Sequence, residues 1–342
     1  MIAVKKEGVI LEQTNLSFEN DGVLNPAIMQ VGNDVHMFYR AVRKGNYSTI
    51  GYCKLDGPLK VVKRNTTPLI SPEYDYEAHG VEDARITKID NVYYLSYTAF
   101  DGNNALGALA TSVDLKQFEK QGIIVPQFTY HQFKHFAECN AVLNEKYERY
   151  QAHHNTIIDH NKKILLWDKN LIFFPRRING KLFFLHRIRP DIQIASITNL
   201  SELTKGYWEN YFLHLDKHIV LSSKHEYEVS YLGGGCPPIE TEDGWLTIYH
   251  GVHDTPEGYV YSASAALLDL ENPQKEISRL PYALFKPELE YELKGEVNNV
   301  VFPTGTALFG DTLYIYYGAA DSRIACASVS LKELIDELKK NI

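Results

Sequence analysis

Asp90-Asn91 runs directly into Val92-Tyr93-Tyr94-Leu95-Ser96-Tyr97, a turn signal followed by an aromatic strand, and the same pattern returns along the chain. It stands at Asn33-Asp34 with Val35-His36-Met37-Phe38-Tyr39-Arg40 and at Asn179-Gly180 with Lys181-Leu182-Phe183-Phe184-Leu185-His186-Arg187. Two further copies are Asp243-Gly244 with Trp245-Leu246-Thr247-Ile248-Tyr249-His250 and Gly310-Asp311 with Thr312-Leu313-Tyr314-Ile315-Tyr316-Tyr317. Each copy follows a short segment such as Asn25-Pro26-Ala27-Ile28 or Glu82-Asp83-Ala84-Arg85-Ile86. Each precedes a small-residue strand such as Leu106-Gly107-Ala108-Leu109-Ala110 or Ile324-Ala325-Cys326-Ala327.

Segment, turn, aromatic strand, loop and small-residue strand make most of a four-stranded blade. Turn starts lie roughly 57 to 89 residues apart, which is long for a blade and leaves room for insertions. Five copies predict an all-β fold, a five-bladed β-propeller over residues 1–342 as one domain. A β-sandwich gives no reason for one motif to return five times. Residues 130–163, rich in His, Asn, Lys and Tyr, break the pattern and read as a partly helical insertion, with helical character from Glu138 to Tyr150. Leu331, Leu334, Ile335 and Leu338 at helical spacing behind Ser330 predict a closing amphipathic helix over about 330–340.

Composition limits the partners. Lys plus Arg number 35 against 43 Asp plus Glu, a net charge of −8, so no basic field exists for nucleic acid or an anionic membrane. Met1-Ile2-Ala3-Val4-Lys5-Lys6-Glu7 lacks the unbroken apolar core of a secretory signal, and no run approaches 18 apolar residues, so the sequence reads as soluble and cytoplasmic. Cys53, Cys139, Cys236 and Cys326 are too widely spaced for a zinc site or a compact disulfide framework and read as reduced, mostly buried thiols. The acidic surface and the insertion permit a homo-oligomer without establishing one.

In a propeller the first strand of each blade lines the central channel, so residues at matching places converge. Segment starts contribute Asn25, Asp83 and Arg85; the ends of aromatic strands contribute Arg40, Asp101, His186, Arg187, His250 and Asp321. Each has a bland alternative: an ion pair for Asp83 and Arg85, a turn for Asp101 and Asp321, backbone contacts for the histidines. The chemistry that suits carboxylates and bases in one hollow is glycoside cleavage. A carboxylic acid protonates the leaving oxygen, and a second agent attacks from the opposite face. If that agent is phosphate, basic donors must gather, and Lys169, Arg187 and His250 qualify, with Tyr261 as a hydroxyl donor. If it is water, a carboxylate base is needed, and Glu226 and Glu228 before Gly233-Gly234-Gly235 are the candidates. A glycan-binding propeller without catalysis would instead show several equivalent aromatic pockets.

The chain resembles glycoside hydrolase family 130, the β-mannoside phosphorylases and their hydrolytic relatives. The likeness runs through Tyr39-Arg40-Ala41, Gly80-Val81-Glu82-Asp83-Ala84-Arg85-Ile86, Leu185-His186-Arg187, Tyr249-His250-Gly251-Val252, Val301-Phe302-Pro303-Thr304-Gly305 and Tyr316-Tyr317-Gly318-Ala319-Ala320-Asp321. The resemblance implies an inverting enzyme that cleaves β-mannosides of manno-oligosaccharides by phosphorolysis to mannose 1-phosphate, with hydrolysis of β-1,2-mannosides as the alternative. It implies Asp83 as the acid, acting through a sugar hydroxyl. Asn25, Arg40 and Asp321 would hold mannose, and Arg187, His250 and Lys169 would hold phosphate, the co-substrate; neither metal nor cofactor is called for. Two departures stand out: Phe174-Pro175-Arg176-Arg177 replaces Phe-Pro-Glu-Lys, and Tyr231 replaces a basic residue.

Overall fold

The computed structural model describes residues 2–155 and 163–342. The chain is mostly β. After strand β1 (Lys5–Leu11) come β2–β5 (Gly22–Val31, Asp34–Arg43, Tyr47–Asp56, Lys60–Arg64) and β6–β9 (Gly80–Ile89, Val92–Phe100, Ala105–Ser112, Glu119–Ile123). Then follow β10–β13 (Lys169–Phe173, Leu182–Arg187, Ile192–Ile197, Ile219–Leu221) and β14–β18 (Tyr231–Gly234, Ile239–Thr241, Gly244–Thr255, Gly258–Leu268, Glu276–Arg279). The last run is β19–β21 (Val301–Phe309, Thr312–Ala319, Arg323–Ser330). Neighbours within each run pair antiparallel, and the first two runs touch through one parallel contact, Ser48 with Gly80. The fourth run departs from four strands because Gly235-Cys236-Pro237-Pro238 interrupts its first strand, and proline offers no N–H to the ladder. Both halves, β14 and β15, still pair with β16.

The three-stranded last run is completed by β1, which pairs with β21 and so ties the N-terminus to the C-terminal strands. The cores follow the same order. Phe38 and Ile50 of the first run pack with Val81 and Leu95 of the second. Leu109 of the second packs with Phe173 and Phe184 of the third. The third shares Phe174 and Ile194 with Trp245 and Tyr249 of the fourth, and the fourth shares Ile248 with Ile315 of the fifth. Tyr316 and Cys326 of the fifth then pack with Val23 and Met37 of the first.

A buried polar latch repeats with the strands. Glu19, Glu77, Glu228 and Glu292, all without solvent exposure, lie ahead of the first strands of their runs. Each accepts a hydrogen bond from a tyrosine on the aromatic strand: Tyr39 at 2.7 Å, Tyr97 at 2.6 Å, Tyr249, and Tyr317 at 2.6 Å. Each also meets a base from the outermost strand: Arg64 at 3.0 Å, Lys120 at 2.6 Å, Arg279 at 3.2 Å, and Lys6. Lys6 lies on β1, which therefore takes the outer place in the last run. In the third run Asp168 and His186 stand in for the pair, 2.8 Å apart.

The remaining elements are helices. Helix α1 (Tyr130–Ala137) starts with a capping box at Thr129, and α2 (Glu145–Asn155) follows it. The helical character expected from Glu138 thus begins only at Glu145, while α1 lies ahead of it; residues 156–162 of the insertion fall outside the described residues. Helices α3 (Lys205–Leu213) and α4 (Glu290–Leu293) precede α5 (Leu331–Lys339), which Ser330 caps and which buries Leu334, Ile335 and Leu338 as expected. No helix among the described residues is long and apolar enough to cross a membrane. Cys53, Cys236 and Cys326 are buried and Cys139 is exposed, all as free thiols.

Removing one partner of a buried ion pair strands the other, at a cost of about 3–5 kcal/mol. Glu228→Ala should therefore lower the melting temperature by on the order of 10 °C, against about 1 kcal/mol for Tyr249→Phe. Calorimetric melting checks this, and equal small losses for both would show that the latch carries little of the fold.

Candidate active site

Where the first strands of the first three runs pass one another, each carries a bulge. Pairing registers slip between Leu24 and Ala27, between Glu82 and Arg85, and between Lys169 and Ile172. Within the bulges Asn25, Asp83 and Asn170 have φ of 49°, 48° and 52°, and Asp321, in the turn between β20 and β21, has 48°. Bulges re-aim side chains, and Asn and Asp tolerate this left-handed backbone better than most residues. The consequence is one cavity of about 140 Å³ lined by Asn25, Arg40, Asp83, Lys169, Asn170, Arg187, Arg189, Tyr231, Tyr261, Val300, Phe302 and Asp321.

The cavity is electrically divided. On one side Asp83 accepts from Asn25 Nδ2 at 2.8 Å and from Arg40 at 3.4 Å, while Arg40 also reaches Glu82 at 2.8 Å. Lys169 Nζ lies 3.7 Å from Glu82. Burial pushes the Asp83 carboxyl up, but Arg40, Lys169 and the Asn25 amide outweigh it and hold it well below the usual carboxylate range. Asp321 goes the other way: burial, with Asp83 adding repulsion against the pull of Arg40, raises it to about 6. A second cavity of about 270 Å³ adjoins here, sharing Arg40 and Asp321 and lined further by Asp21, Leu24, Val42, Glu296 and Val297.

On the other side Arg187 and Arg189 have no carboxylate partner among the described residues. Their guanidinium groups lie 5.5 and 4.2 Å from the Tyr231 ring, and Arg187 Nε has no hydrogen-bond partner. Burial and the neighbouring Arg189 lower Arg187 to about 10. Tyr261 bonds through its hydroxyl to that of Tyr231. A buried guanidinium without a counter-charge is costly, and a planar, forked donor suits an oxyanion.

Seven sequence-selected residues therefore meet: Asn25, Arg40, Asp83, Lys169, Arg187, Tyr261 and Asp321. His250 stands just behind the wall, its ring 4.3 Å from that of Phe302 and tilted 37° to it, with both ring nitrogens unpartnered. A Cβ at Gly233 would collide with its ring and come within 2.9 Å of the unpartnered Asn170 Oδ1. Burial first, then Arg187, keeps His250 neutral.

Four expectations are corrected. Arg85 does not line the cavity; its guanidinium donates to the backbone carbonyls of Asp83, Ala84 and Gly235. Asp101 closes a turn, accepting from the backbone of Asn103 at 2.7 Å and Asn104 at 2.6 Å. Glu226 is exposed, and Glu228 is bound into its latch with Tyr249 and Arg279. Neither glutamate can act as base in the cavity. Sequence reasoning missed Asn170, whose place on the bulge matches Asn25 and Asp83, and Arg189, which Arg187-Ile188-Arg189 could have flagged. Arg189 stacks on Tyr231, restoring the positive charge absent at position 231.

The pattern that defines glycoside hydrolase family 130, described as beta-1,4-mannooligosaccharide phosphorylase, matches residues 7–340. The chain belongs to this family. It is 32% identical over 347 residues to the 1,2-beta-oligomannan phosphorylase of Thermoanaerobacter sp. (strain X514), covering 98% of this chain and 99% of that one. It is 33% identical over 330 residues to the Beta-1,2-mannobiose phosphorylase of the same strain, covering 93% of both. The Listeria innocua Beta-1,2-mannobiose phosphorylase, solved with beta-1,2-mannobiose, superposes with a TM-score of 0.73 at 23% identity over 99% of this chain and all of that one, a likeness of fold.

If the arginine pair is an oxyanion site, phosphate or sulfate at a hundred times its dissociation constant should stabilise the protein by about 2.7 kcal/mol, on the order of 5 °C. At matched ionic strength Arg187→Gln should lose this rise; an equal rise in both proteins would separate Arg187 from the anion.

Proposed function

We propose that this family 130 protein is an inverting phosphorylase of β-1,2-linked mannosides, with residues 1–342 forming one five-bladed propeller around its site. The circular succession of shared cores and the outer place of β1 support the ring. The observation that carries the activity is the unpaired Arg187 and Arg189 facing Asp83 across one cavity. Relatives that match nearly end to end are named for phosphorolysis of β-1,2-mannosides.

Asn25, Arg40 and Asp321 hold the mannosyl unit above Asp83, and the rest of the saccharide extends toward the cavity bounded by Asp21 and Glu296. Lys169, Arg187 and Arg189, with Tyr261, hold phosphate on the opposite face, and His250 stands behind them. A phosphate oxygen attacks the anomeric carbon and its bond to the leaving oxygen breaks. That oxygen takes a proton from Asp83 through a sugar hydroxyl, giving α-mannose 1-phosphate and the shortened saccharide. Lys169 is one of the charges that keep Asp83 ionised. Arg40 is the larger of them, and phosphate seated on Lys169 offsets only that lysine's share, which raises the proton affinity of the acid when the nucleophile binds. Hydrolysis would require a carboxylate base, and the two carboxylates lining the cavity, Asp83 and Asp321, are already assigned to the acid and to the sugar.

The experiment is incubation with β-1,2-mannobiose with and without phosphate. Mannose 1-phosphate should form only with phosphate, and Asp83→Asn should lower turnover by about 10²–10⁴-fold. Release of free mannose at the same rate in phosphate-free buffer would overturn the phosphorylase reading.

A further inference from the structure

Arg187 and Arg189 alternate about Ile188 at the end of β11, which places two like charges on one side of the chain. They repel, and among the described residues no carboxylate holds either of them. The corner that carries them is fixed instead by buried hydrogen bonds, which converge on the insertion. The Gln193 side chain bonds both backbone groups of Ile188, accepting from its N–H at 2.8 Å and donating to its carbonyl at 2.9 Å. The same amide donates to the hydroxyl of Tyr147 on α2 at 3.1 Å, and Tyr147 donates to Asp191 at 2.8 Å. Tyr147, Asp191 and Gln193 are all buried.

One turn further along α2, Tyr150 donates to the Ser230 carbonyl at 2.7 Å and packs edge-on against Tyr231 at 5.5 Å. The Arg189 guanidinium lies over both rings, 5.7 Å from Tyr150 and 4.2 Å from Tyr231. The helix is itself anchored: Tyr147 packs on Phe133 of α1, and Phe133 on Phe212 of α3.

We infer that α2 is the element that holds the arginine pair convergent, with Tyr147 and Tyr150 as positioning residues for the anion. This rests on the reading of Arg187 and Arg189 as the phosphate site. Without the helix the two guanidinium groups would part, and each would bind phosphate singly and more weakly. The mannoside side of the cavity, built on the bulges, would not notice.

The test is Tyr147→Phe and Tyr150→Phe, each titrated with inorganic phosphate by calorimetry and assayed with phosphate and β-1,2-mannobiose varied separately. Loss of a hydrogen bond in Tyr147→Phe should raise the phosphate Kd and KM about five- to tenfold. The mannobiose KM and kcat at saturating phosphate should stay within about twofold. An unchanged phosphate KM, or equal rises in both KM values, would overturn the inference. If Tyr147→Phe does not fold, Tyr150→Phe decides by the same split. Wild-type protein that fails to bind phosphate would instead defeat the phosphorylase reading itself, and the inference with it.

Discussion

A carboxylate buried without solvent and bonded to a ring on the next strand recurs in every run of this chain, and the position of the site depends on it. Glu19, Glu77, Glu228 and Glu292 each join a tyrosine from the aromatic strand to a base from the outer strand. Tyr39 immediately precedes Arg40 and Tyr249 immediately precedes His250 along their strands. In the third run His186, bonded to Asp168 and Tyr211, precedes Arg187, and Asp168 precedes Lys169. Locking one residue rigidly in a dry interior fixes the direction of its neighbour. Arg40, Asp83, Lys169 and Arg187 thus reach one hollow from strands, and Arg189 and Asp321 join them from turns.

The hollow then separates two electrostatic tasks. On one side Glu82 and Asp83 balance Arg40, and Lys169 lies between these carboxylates and Arg187. Arg187 and Arg189, stacked on Tyr231, leave positive charge in excess where a dianion would sit. Asp83 lies where it feels Lys169, so its proton affinity is tied to what occupies the far side.

Much of this could be read from the chain because the repeats are strong. The five turn and aromatic-strand units appear as expected, and Asn25, Arg40, Asp83, Lys169, Arg187, Tyr261 and Asp321 do converge. What escaped were properties of backbone geometry and of pairing across long separations. Asp101 and Asn104 lie three residues apart and satisfy one another, which a turn motif ahead of Gly102 already allowed. Arg85 follows Asp83 by two residues, but the bulge between them sends it toward carbonyls rather than into the cavity. Glu228 looked free because its partners Tyr249 and Arg279 lie 21 and 51 residues away. Asn170 carries no motif of its own and becomes visible only when the bulges are aligned.

The central claim is that one cavity holds phosphate and mannoside on opposite faces of a single scissile bond. A crystal structure grown with inorganic phosphate tests it most directly. The account expects phosphate bound by Lys169, Arg187 and Arg189 next to Tyr261, with Asp83 across the cavity from it. Phosphate bound against Arg40 on the Asp83 side, or density for it only outside this cavity, would contradict the account.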